Sequence, residues 1–289
     1  MLSIGGMGIV LVGVFGGYLL AGGKMSVILK ALPFEMMMIG GAAIGGLLIA
    51  NSMKTVKQAV AGVMRVIKGP KWKQADYQDL LCLLYALANV YKKKGALGLE
   101  QHVEQPAESP IFQTYPKILK DHFAVAMVCD TLRMMTLNLE DPHQIDDYID
   151  RLLEKHHAED MKAANALQTT ADALPALGIV AAVLGVIKTM ASINEPPEVL
   201  GKMIGGALVG TFLGVFLAYG FVGPLANRLG QVVDEDGRFY HVTKDVLVAI
   251  AQGAGPQLAV EIGRGNVPTA VQPSFYDLET AVEQAPAVS

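Results

Sequence analysis

Few residues in this sequence combine the type and the spacing that chemistry requires. Gly22 to Ser26 (GGKMS) resembles the end of a phosphate-binding loop, but that motif needs glycine at Tyr18 and serine or threonine at Met25. His156 and His157 are adjacent, so they do not share a helix face and are poorly placed to bind one metal ion together. These residues therefore indicate neither a nucleotide site nor a metal site.

Three further features argue against catalysis and nucleic-acid binding. Asp234 to Gly237 (DEDG) lacks the first and last acidic ligands of a calcium loop. Cys82 and Cys129 lie far apart and in no CxxC pair, which is typical of buried apolar residues in a reducing compartment. The net charge is −4, and no long basic block offers a footprint for nucleic acid. We therefore expect no enzyme activity, no metal or other cofactor and no nucleic-acid partner.

The composition predicts a membrane protein. Of the 289 residues, 52% are hydrophobic and only 17% are charged, which is too apolar for an ordinary cytosolic domain of this length. Stretches approaching the roughly 20 apolar residues that cross a bilayer occur four times. They are Leu2 to Ala21, Phe34 to Ala50, Leu174 to Ile193 and Leu200 to Val222. Short links, Gly22 to Pro33 and Asn194 to Val199, join the members of each pair.

These spans divide the chain into four predicted parts. Transmembrane hairpins cover residues 1–50 and 171–223, a helical domain covers 51–170, and a helical tail covers 224–289. Basic residues follow the second span with no acidic residue among them: Lys54, Lys57, Arg65, Lys68, Lys71 and Lys73. Because such residues mark the cytoplasmic ends of spans, we predict a bacterial inner-membrane protein whose large domain and C-terminus are cytoplasmic.

Helical periodicity accounts for the segments outside the spans. Leu80, Leu84 and Leu87 recur at helix spacing, and Gly95 follows a lysine-rich last turn that is a typical stop signal. Further helices are predicted from Ile118 to Leu139, from His143 to about Leu167 and from Val242 to Gln252. No strand alternation of any length is present, so we predict an all-α integral membrane protein with four transmembrane helices.

The middle of the predicted spans offers little that could bind an ion. An intramembrane Asp, Glu or His is costly and usually functional, and we find none at mid-span. Only the hydroxyls of Tyr18, Thr189, Thr211 and Tyr219 are available there. If the protein conducts ions, we therefore expect another chain to supply the carboxylate.

Small residues in the fourth and second spans favour close helix contacts. Gly206, Gly210 and Gly214 are spaced by four, as are Gly41 and Gly45. Glycines at this spacing form a groove that lets another helix approach closely. The groove fits either packing among this protein's own spans or a helix supplied by a partner, and the sequence leaves both open.

Two prolines flank the last pair of spans on the predicted cytoplasmic side. Pro175 lies at the start of the third span and Pro224 at the end of the fourth. A proline in a first turn costs little, so the simplest interpretation is that Pro175 begins a helix that Asp172 caps. The alternative is a hinge at the junction with the soluble domain.

Four segments resemble the MotA family of flagellar motor stator subunits over nearly the whole chain. They are DALPALGIVAAVLGVI at 172–187, GALVGTFLGVFLAYGFVGPLA at 206–226, GLEQHVEQPAESPIFQTYP at 98–116 and AVEIGRGNVPTAVQPSFYDLE at 259–279. Four spans with the large domain between the second and third fit this family better than its TolQ and ExbB relatives, which resemble the chain mainly in the last hairpin.

The resemblance implies an ion-driven torque generator in the bacterial inner membrane. In that family several MotA chains, thought to be five, surround two MotB helices, and MotB supplies the aspartate that binds the ion. The resemblance assigns Ala182, Gly206, Gly210, Thr211, Gly214 and Tyr219 to the pore or the MotB-facing surface. Pro175 and Pro224 match the prolines that couple ion passage to movement of the cytoplasmic domain.

The resemblance also implies contact with the rotor protein FliG. Lys92 and Glu100 match the family's basic and acidic rotor contacts. Lysine stands where the family usually has arginine, and it belongs to a triplet, so Lys93 or Lys94 could share the role. A solvated helix end explains these lysines almost as well.

Small residues in the spans favour protons over sodium. Sodium-driven relatives carry a threonine on the third span where this sequence has Ala182, and another where it has Gly210. Sodium without its water shell needs several oxygen ligands, whereas a proton needs only a carboxylate and a chain of water. We therefore predict a proton path.

Two other functions remain to be weighed. An energiser of outer-membrane transport of the ExbB and TolQ type shares the last hairpin, and the presence of a MotB-like partner would distinguish it. A secondary transporter would bind its solute through broken helices and polar side chains at mid-membrane, and these spans offer neither.

Overall fold

The structure is a computed structural model that describes residues 2–136 and 141–284. Its regular elements within these ranges are all helical, which confirms the all-α prediction. They are α1 (Leu2–Leu20), α2 (Met25–Ala50), α3 (Met53–Lys68), α4 (Gln74–Glu104), α5 (Pro110–Gln113), α6 (Pro116–Leu119), α7 (His122–Thr136), α8 (Pro142–Ala191), α9 (Pro197–Ala251), α10 (Pro256–Asn266) and α11 (Phe275–Gln284).

The described residues group into two compact units. The membrane unit comprises those of residues 1–69 and 160–232, and the globular unit comprises those of 70–159 and 233–289. Helices α8 and α9 contribute residues to both units. Compactness alone defines these units, so the four-part division by membrane topology stays a prediction.

Four described helices, α1, α2, α8 and α9, are long and apolar enough to cross a membrane, in agreement with the four predicted spans. The predicted link from Gly22 to Pro33 is wrong. Helix α2 begins at Met25 and contains Pro33, which leaves only a tight turn in which Gly22 takes a φ of 81°. Membrane helices tolerate internal proline because neighbouring groups satisfy the freed carbonyl, so Pro33 was a poor boundary signal.

The two spans of the second pair belong to helices much longer than a bilayer requires. The predicted helix from His143 and the third span form one helix, α8, because no stop signal separates them. Likewise, the predicted helix from Val242 to Gln252 is the end of α9. Within α9, a π-helical turn at Ala218–Val222 directly precedes Gly223 and Pro224.

The globular unit follows its predicted helices with one correction. Gly95 lies within the range of α4, but its non-helical φ of 66° ends the first of two helical segments, which confirms the predicted stop signal. The predicted helix from Ile118 to Leu139 is interrupted before α7, where an Asp121 oxygen accepts a 2.8 Å hydrogen bond from the Ala124 N–H. Leu137, Asn138 and Leu139 lie outside the described residues.

Each unit has its own apolar core. In the membrane unit, a small cluster joins α2, α8 and α9 through Ile39, Leu174, Ala181 and Leu213. In the globular unit, the core is much larger and contains the predicted Leu80, Leu83, Leu84 and Leu87, none more than 1% exposed. Its aromatic centre is Trp72, whose ring stacks on Phe239 with centroids 3.8 Å apart.

Candidate functional site

The third and fourth spans, in α8 and α9, meet backbone to backbone at glycines. A Cβ atom added to Gly214 would lie 2.5 Å from the carbonyl oxygen of Leu174, and one added to Gly178 would lie 2.8 Å from that of Gly210. Both separations are too short for a real Cβ, so side chains fit at neither position without backbone movement. Gly210 and Gly214 thus pack against this chain's own third span, and their assignment to a partner-facing surface stays a prediction.

Other glycines of the groove have free space beside them. An added Cβ would meet nothing within 4 Å at Gly206, Gly41 or Gly45. Gly206 lies one turn before Gly210 on α9 and lines a cavity of about 620 Å³. These three positions have room for a helix from another chain, as the alternative interpretation of the spacing requires.

Glu35 is a buried carboxylate that the sequence analysis overlooked. Helix α2 presents Glu35, Ile39 and Ala43 at spacing four on its buried face, and Glu35 is only 5% exposed. Among the described residues its Oε2 atom has no hydrogen-bond partner, and it would lie 2.6 Å from a Cβ added to Gly210. The prediction that no Asp, Glu or His lies at mid-span is therefore wrong, because Glu35 is well inside α2.

That error has a specific cause in the sequence. The second span is predicted to begin at Phe34, so Glu35 falls at its end rather than at mid-span. The structure extends α2 back to Met25, which places Glu35 about 15 Å along the helix from its start at 1.5 Å per residue. A single acid among apolar residues, as in PFEMMM, was the available signal.

Ala182 and Gly210, the two positions used to infer the ion, are neighbours. A Cβ added to Gly210 would lie 3.1 Å from the backbone nitrogen of Ala182, besides its conflict with Glu35. The spans therefore contact each other where the predicted sodium ligands would be required. Thr211, the next residue along α9, is half-buried.

The two prolines lie at the same end of the membrane unit, and neither begins its helix. Pro175 is inside α8, and the Asp172 carboxylate accepts a 2.8 Å hydrogen bond from Gln168 Nε2. The interpretation that Pro175 starts a helix capped by Asp172 is therefore wrong. Because Pro175 has no N–H, the carbonyl of Ala171 lacks the hydrogen bond that it would accept in a regular helix. Ala171 lies near Gly223: its Cβ is 3.9 Å from a Cβ added to that glycine.

A second cavity, of about 250 Å³, joins Pro224 to the end of the fourth span. Ser3, Val10, Val66, Tyr219 and Arg228 contribute to its lining. Tyr219 lies in the π-helical turn and is 72% exposed. Irregular helical turns of this kind are frequent at functional positions because they aim side chains that a regular helix would not.

The predicted rotor contacts are surface residues of the globular unit. Lys92 and Glu100 are exposed, as are Lys93 and Lys94, and the kink at Gly95 separates the lysines from Glu100. Exposure keeps all three lysines available to a partner. The choice among them stays a prediction.

A charge network anchors the loop that leads into the globular unit. Asp121 is bound by the Lys71 ammonium and by the Tyr240 hydroxyl, whose oxygen lies 3.0 Å from Asp121 Oδ2. Burial alone would raise the pKa of Asp121, but the bonds from Lys71 and from the Ala124 N–H outweigh it and lower that pKa. The network has the features of structural packing: Asp121, Ala124 and Tyr240 are buried, and the exposed Lys71 reaches Asp121 from the surface. Within the described ranges, no three side chains of His, Cys, Asp or Glu come together to hold a metal ion.

Comparison with known proteins agrees with this architecture. The family model described as "Motility protein A N-terminal" matches residues 4–95, and "MotA/TolQ/ExbB proton channel family" matches 117–238. Motility protein A of Salmonella typhimurium is 38% identical over 282 residues, which cover 98% of this chain and 95% of that protein.

Solved structures of MotAB have a similar fold. A Campylobacter structure described as "C. jejuni MotAB" has a TM-score of 0.71 at 19% identity, covering 92% of this chain and 95% of that one. The flagellar MotAB stator complex of Bacillus subtilis has a TM-score of 0.68 at 22% identity, with 90% and 92% covered. At such identities these structures support the fold. With four membrane-type helices and 38% identity over almost its full length, this chain belongs to the motility protein A family.

Proposed function

We propose that this chain is an ion-conducting stator subunit of the bacterial flagellar motor. It forms a ring, of five copies by family resemblance, around the membrane helices of a MotB-like partner, and converts proton flux into torque on the rotor protein FliG. The observation that carries the proposal is the pair of prolines: Pro175 and Pro224 lie inside helices that each contribute to both units. Each proline removes a backbone hydrogen bond from its helix, which suits a device that changes shape with ion occupancy.

The outer surface of the membrane unit supports an assembly in lipid. Large apolar side chains point away from the chain on all four spans, among them Leu20 at 92%, Ile49 at 90% and Leu208 at 64% exposed. Lipid tails, neighbouring copies or a partner helix would cover them. The MotAB complexes of similar fold are described as containing a second component, MotB.

The orientation we propose is the one that the basic residues favour. Helix α3, which follows the second span, carries Lys54, Lys57, Arg65 and Lys68 and no acidic residue. Basic residues at this place mark the cytoplasmic face, so the globular unit and the C-terminus lie in the cytoplasm and the spans in the inner membrane.

Protons are the ion that the contact between the spans favours. Threonine at position 210 would have to displace the Glu35 carboxylate and approach the backbone nitrogen of Ala182. A sodium-binding hydroxyl at that position would therefore require the Glu35 side chain to move and the two spans to shift slightly apart. No covalent chemistry enters this function, which consists of ion passage and movement.

The test compares motility with outer-membrane uptake. A motile bacterium that lacks its own subunit receives this chain together with its MotB-like partner, and both swimming and energised uptake across the outer membrane are measured. We expect swimming to be restored and uptake to be unaffected. Restored uptake without swimming would identify an energiser of the ExbB and TolQ type instead. The match of residues 4–95 to the motility protein A N-terminal model makes that alternative less supported.

A further inference from the structure

Glu35 lies where three spans meet. It is on the buried face of α2, its Oε2 atom faces Gly210 of α9, and Gly210 in turn contacts the backbone of Ala182 on α8. It therefore adjoins the two positions that the sequence analysis connected with ion choice. Within residues 2–136 and 141–284 the oxygen has no hydrogen-bond partner, although an unpartnered ionised carboxylate is expensive among apolar groups. Such a group is stable when it holds a proton.

A route for that proton is visible in the structure. Glu35 lines the cavity of about 620 Å³ between α2, α8 and α9, together with Ser26, Lys30, Lys188 and Lys202. A cavity of this volume has room for many water molecules, which move protons along hydrogen bonds. Lys188 and Lys202 flank the short link between the third and fourth spans, so the cavity lies at that end of the spans. The basic residues after the second span favour the cytoplasm for the opposite end, so the cavity end faces the periplasm in the proposed orientation.

The surroundings of Glu35 give it two accessible states. Lys30 on α2, Lys188 on α8 and Lys202 on α9 line the same cavity. Apolar surroundings favour the neutral carboxylic acid, whereas water in the cavity can solvate the anion. A group under both influences can release a proton as well as hold one, which is what a relay requires.

We propose that Glu35 is a proton-relay residue of this chain, loaded from water in the cavity on the periplasmic side. Hydronium in the cavity gives its proton to the carboxylate, forming the carboxylic acid and water. The acid then releases the proton to water on the path toward the partner's aspartate and returns to the anion. This inference rests on the proposed function, since it assigns the entrance of the same proton path.

The first test is chemical and does not need rotation. Membranes that contain the chain with its MotB-like partner are treated at neutral pH with dicyclohexylcarbodiimide, which modifies protonated carboxyl groups in apolar surroundings. Mass spectrometry then locates the adduct on this chain's peptides. We expect modification of Glu35 that declines as the pH rises. The exposed Glu198, in the same unit, should stay unmodified because it is ionised in water.

The second test measures motor speed against load. Glu35→Gln keeps the shape but cannot relay a proton, and Glu35→Asp keeps the carboxyl group. At low load, where proton arrival limits each step, Glu35→Gln should slow rotation by at least about twofold, whereas torque near stall should change little because loading has time to finish. Glu35→Asp should retain most of the speed, and Glu198→Gln is the matched control that should behave as wild type.

The outcomes separate this inference from the function on which it rests. Absence of the adduct on Glu35, or an unchanged low-load speed in Glu35→Gln, overturns the relay. Loss of rotation in Glu35→Gln together with loss of the complex overturns it as well, because the residue would then act in packing. Failure of the wild-type chain to restore swimming overturns the proposed function instead, whatever the labelling shows.

Discussion

At the scale of single residues, the membrane unit depends on glycines whose neighbours are backbone atoms. Gly178 and Gly214 bring α8 and α9 so close that a methyl group would strike a carbonyl oxygen or a Cα atom. The spacing of four along α9 predicted a groove, but only the structure shows which helix fills it. The spacing of small residues identifies a contact face on a helix, but which helix packs against that face depends on the tertiary structure.

Gly214→Ala should therefore destabilise the membrane unit. Its Cβ would lie 2.5 Å from the Leu174 carbonyl oxygen, and overpacking of this kind costs about 1–3 kcal/mol. Thermal unfolding of the detergent-solubilised complex measures the loss. Gly201→Ala is the matched control, because an added Cβ there meets nothing within 4 Å and Gly201 belongs to no predicted site, and it should melt with the wild type. Equal melting of both variants would contradict the close approach of the spans.

In the globular unit, Asp121→Asn should weaken folding at neutral pH and matter less in acid. Because its folded pKa is lowered, Asp121 stabilises the fold fully above its unfolded pKa of about 4 and loses that contribution as the pH falls through the folded value. At pH 7 the variant should lose about 1–3 kcal/mol, as for hydrogen bonds to charged groups. Urea unfolding at pH 7 and at pH 3 checks the change.

The matched control is Asp130→Asn, whose carboxylate pairs with Arg133 on the surface. Surface pairs contribute little, so this variant should stay within about 0.5 kcal/mol of the wild type. A difference between Asp121→Asn and wild type that is as large at pH 3 as at pH 7 would mean that the Lys71 contact does not depend on the charge of Asp121.

At the scale of elements, the sequence predicted helix types well and helix ends poorly. Periodicity identified the leucines of α4 and the four apolar spans, since both patterns are local. The predicted helix ends at Pro33 and Pro175 were wrong because a proline is a typical boundary signal, yet both prolines lie inside helices. Whether a proline ends a helix depends on neighbours that can satisfy the freed carbonyl, and these come from other parts of the chain.

Because Pro175 and Pro224 lie inside helices, we predict that replacing them affects stability and torque in opposite directions. An internal proline costs a helix about 3 kcal/mol, so Pro175→Ala or Pro224→Ala should leave the complex with the MotB-like partner at least as stable as the wild type. Torque should nevertheless be lost, because the regular helix lacks the interruption that permits movement. Complex yield and tethered-cell rotation measure the two effects.

Pro197→Ala is the matched control for these variants. Pro197 occupies the first turn of α9, where its missing N–H has no helical partner to lose, so rotation should be normal. Normal rotation in Pro175→Ala and Pro224→Ala would show that the interruptions do not couple ion passage to movement.

At the scale of the whole molecule, the exposed residues of the globular unit are the candidates for rotor contact. Lys92→Glu and Glu100→Lys should each reduce swimming, because reversing a surface charge opposes association with a complementary partner. Membrane assembly and ion leak should remain near wild type, since both residues are exposed and outside the membrane unit. Swimming speed, complex yield and ion leak are measured together.

Lys93→Glu and Lys94→Glu serve as comparisons within the same lysine triplet. If either reduces swimming more than Lys92→Glu does, the contact shifts to that residue. If ion leak changes before swimming does in Lys92→Glu, the rotor assignment itself is wrong.

Proton flux through this subunit is the proposed cause of rotation. The direct measurement follows one motor with an attached bead in cells that lack the subunit, while this chain and its MotB-like partner are induced. We expect rotation to resume in steps of speed as units join, and to stop when the proton gradient is collapsed with the sodium gradient held fixed. Rotation that follows sodium would contradict the proton assignment of Ala182 and Gly210, and absence of any step would contradict the stator function.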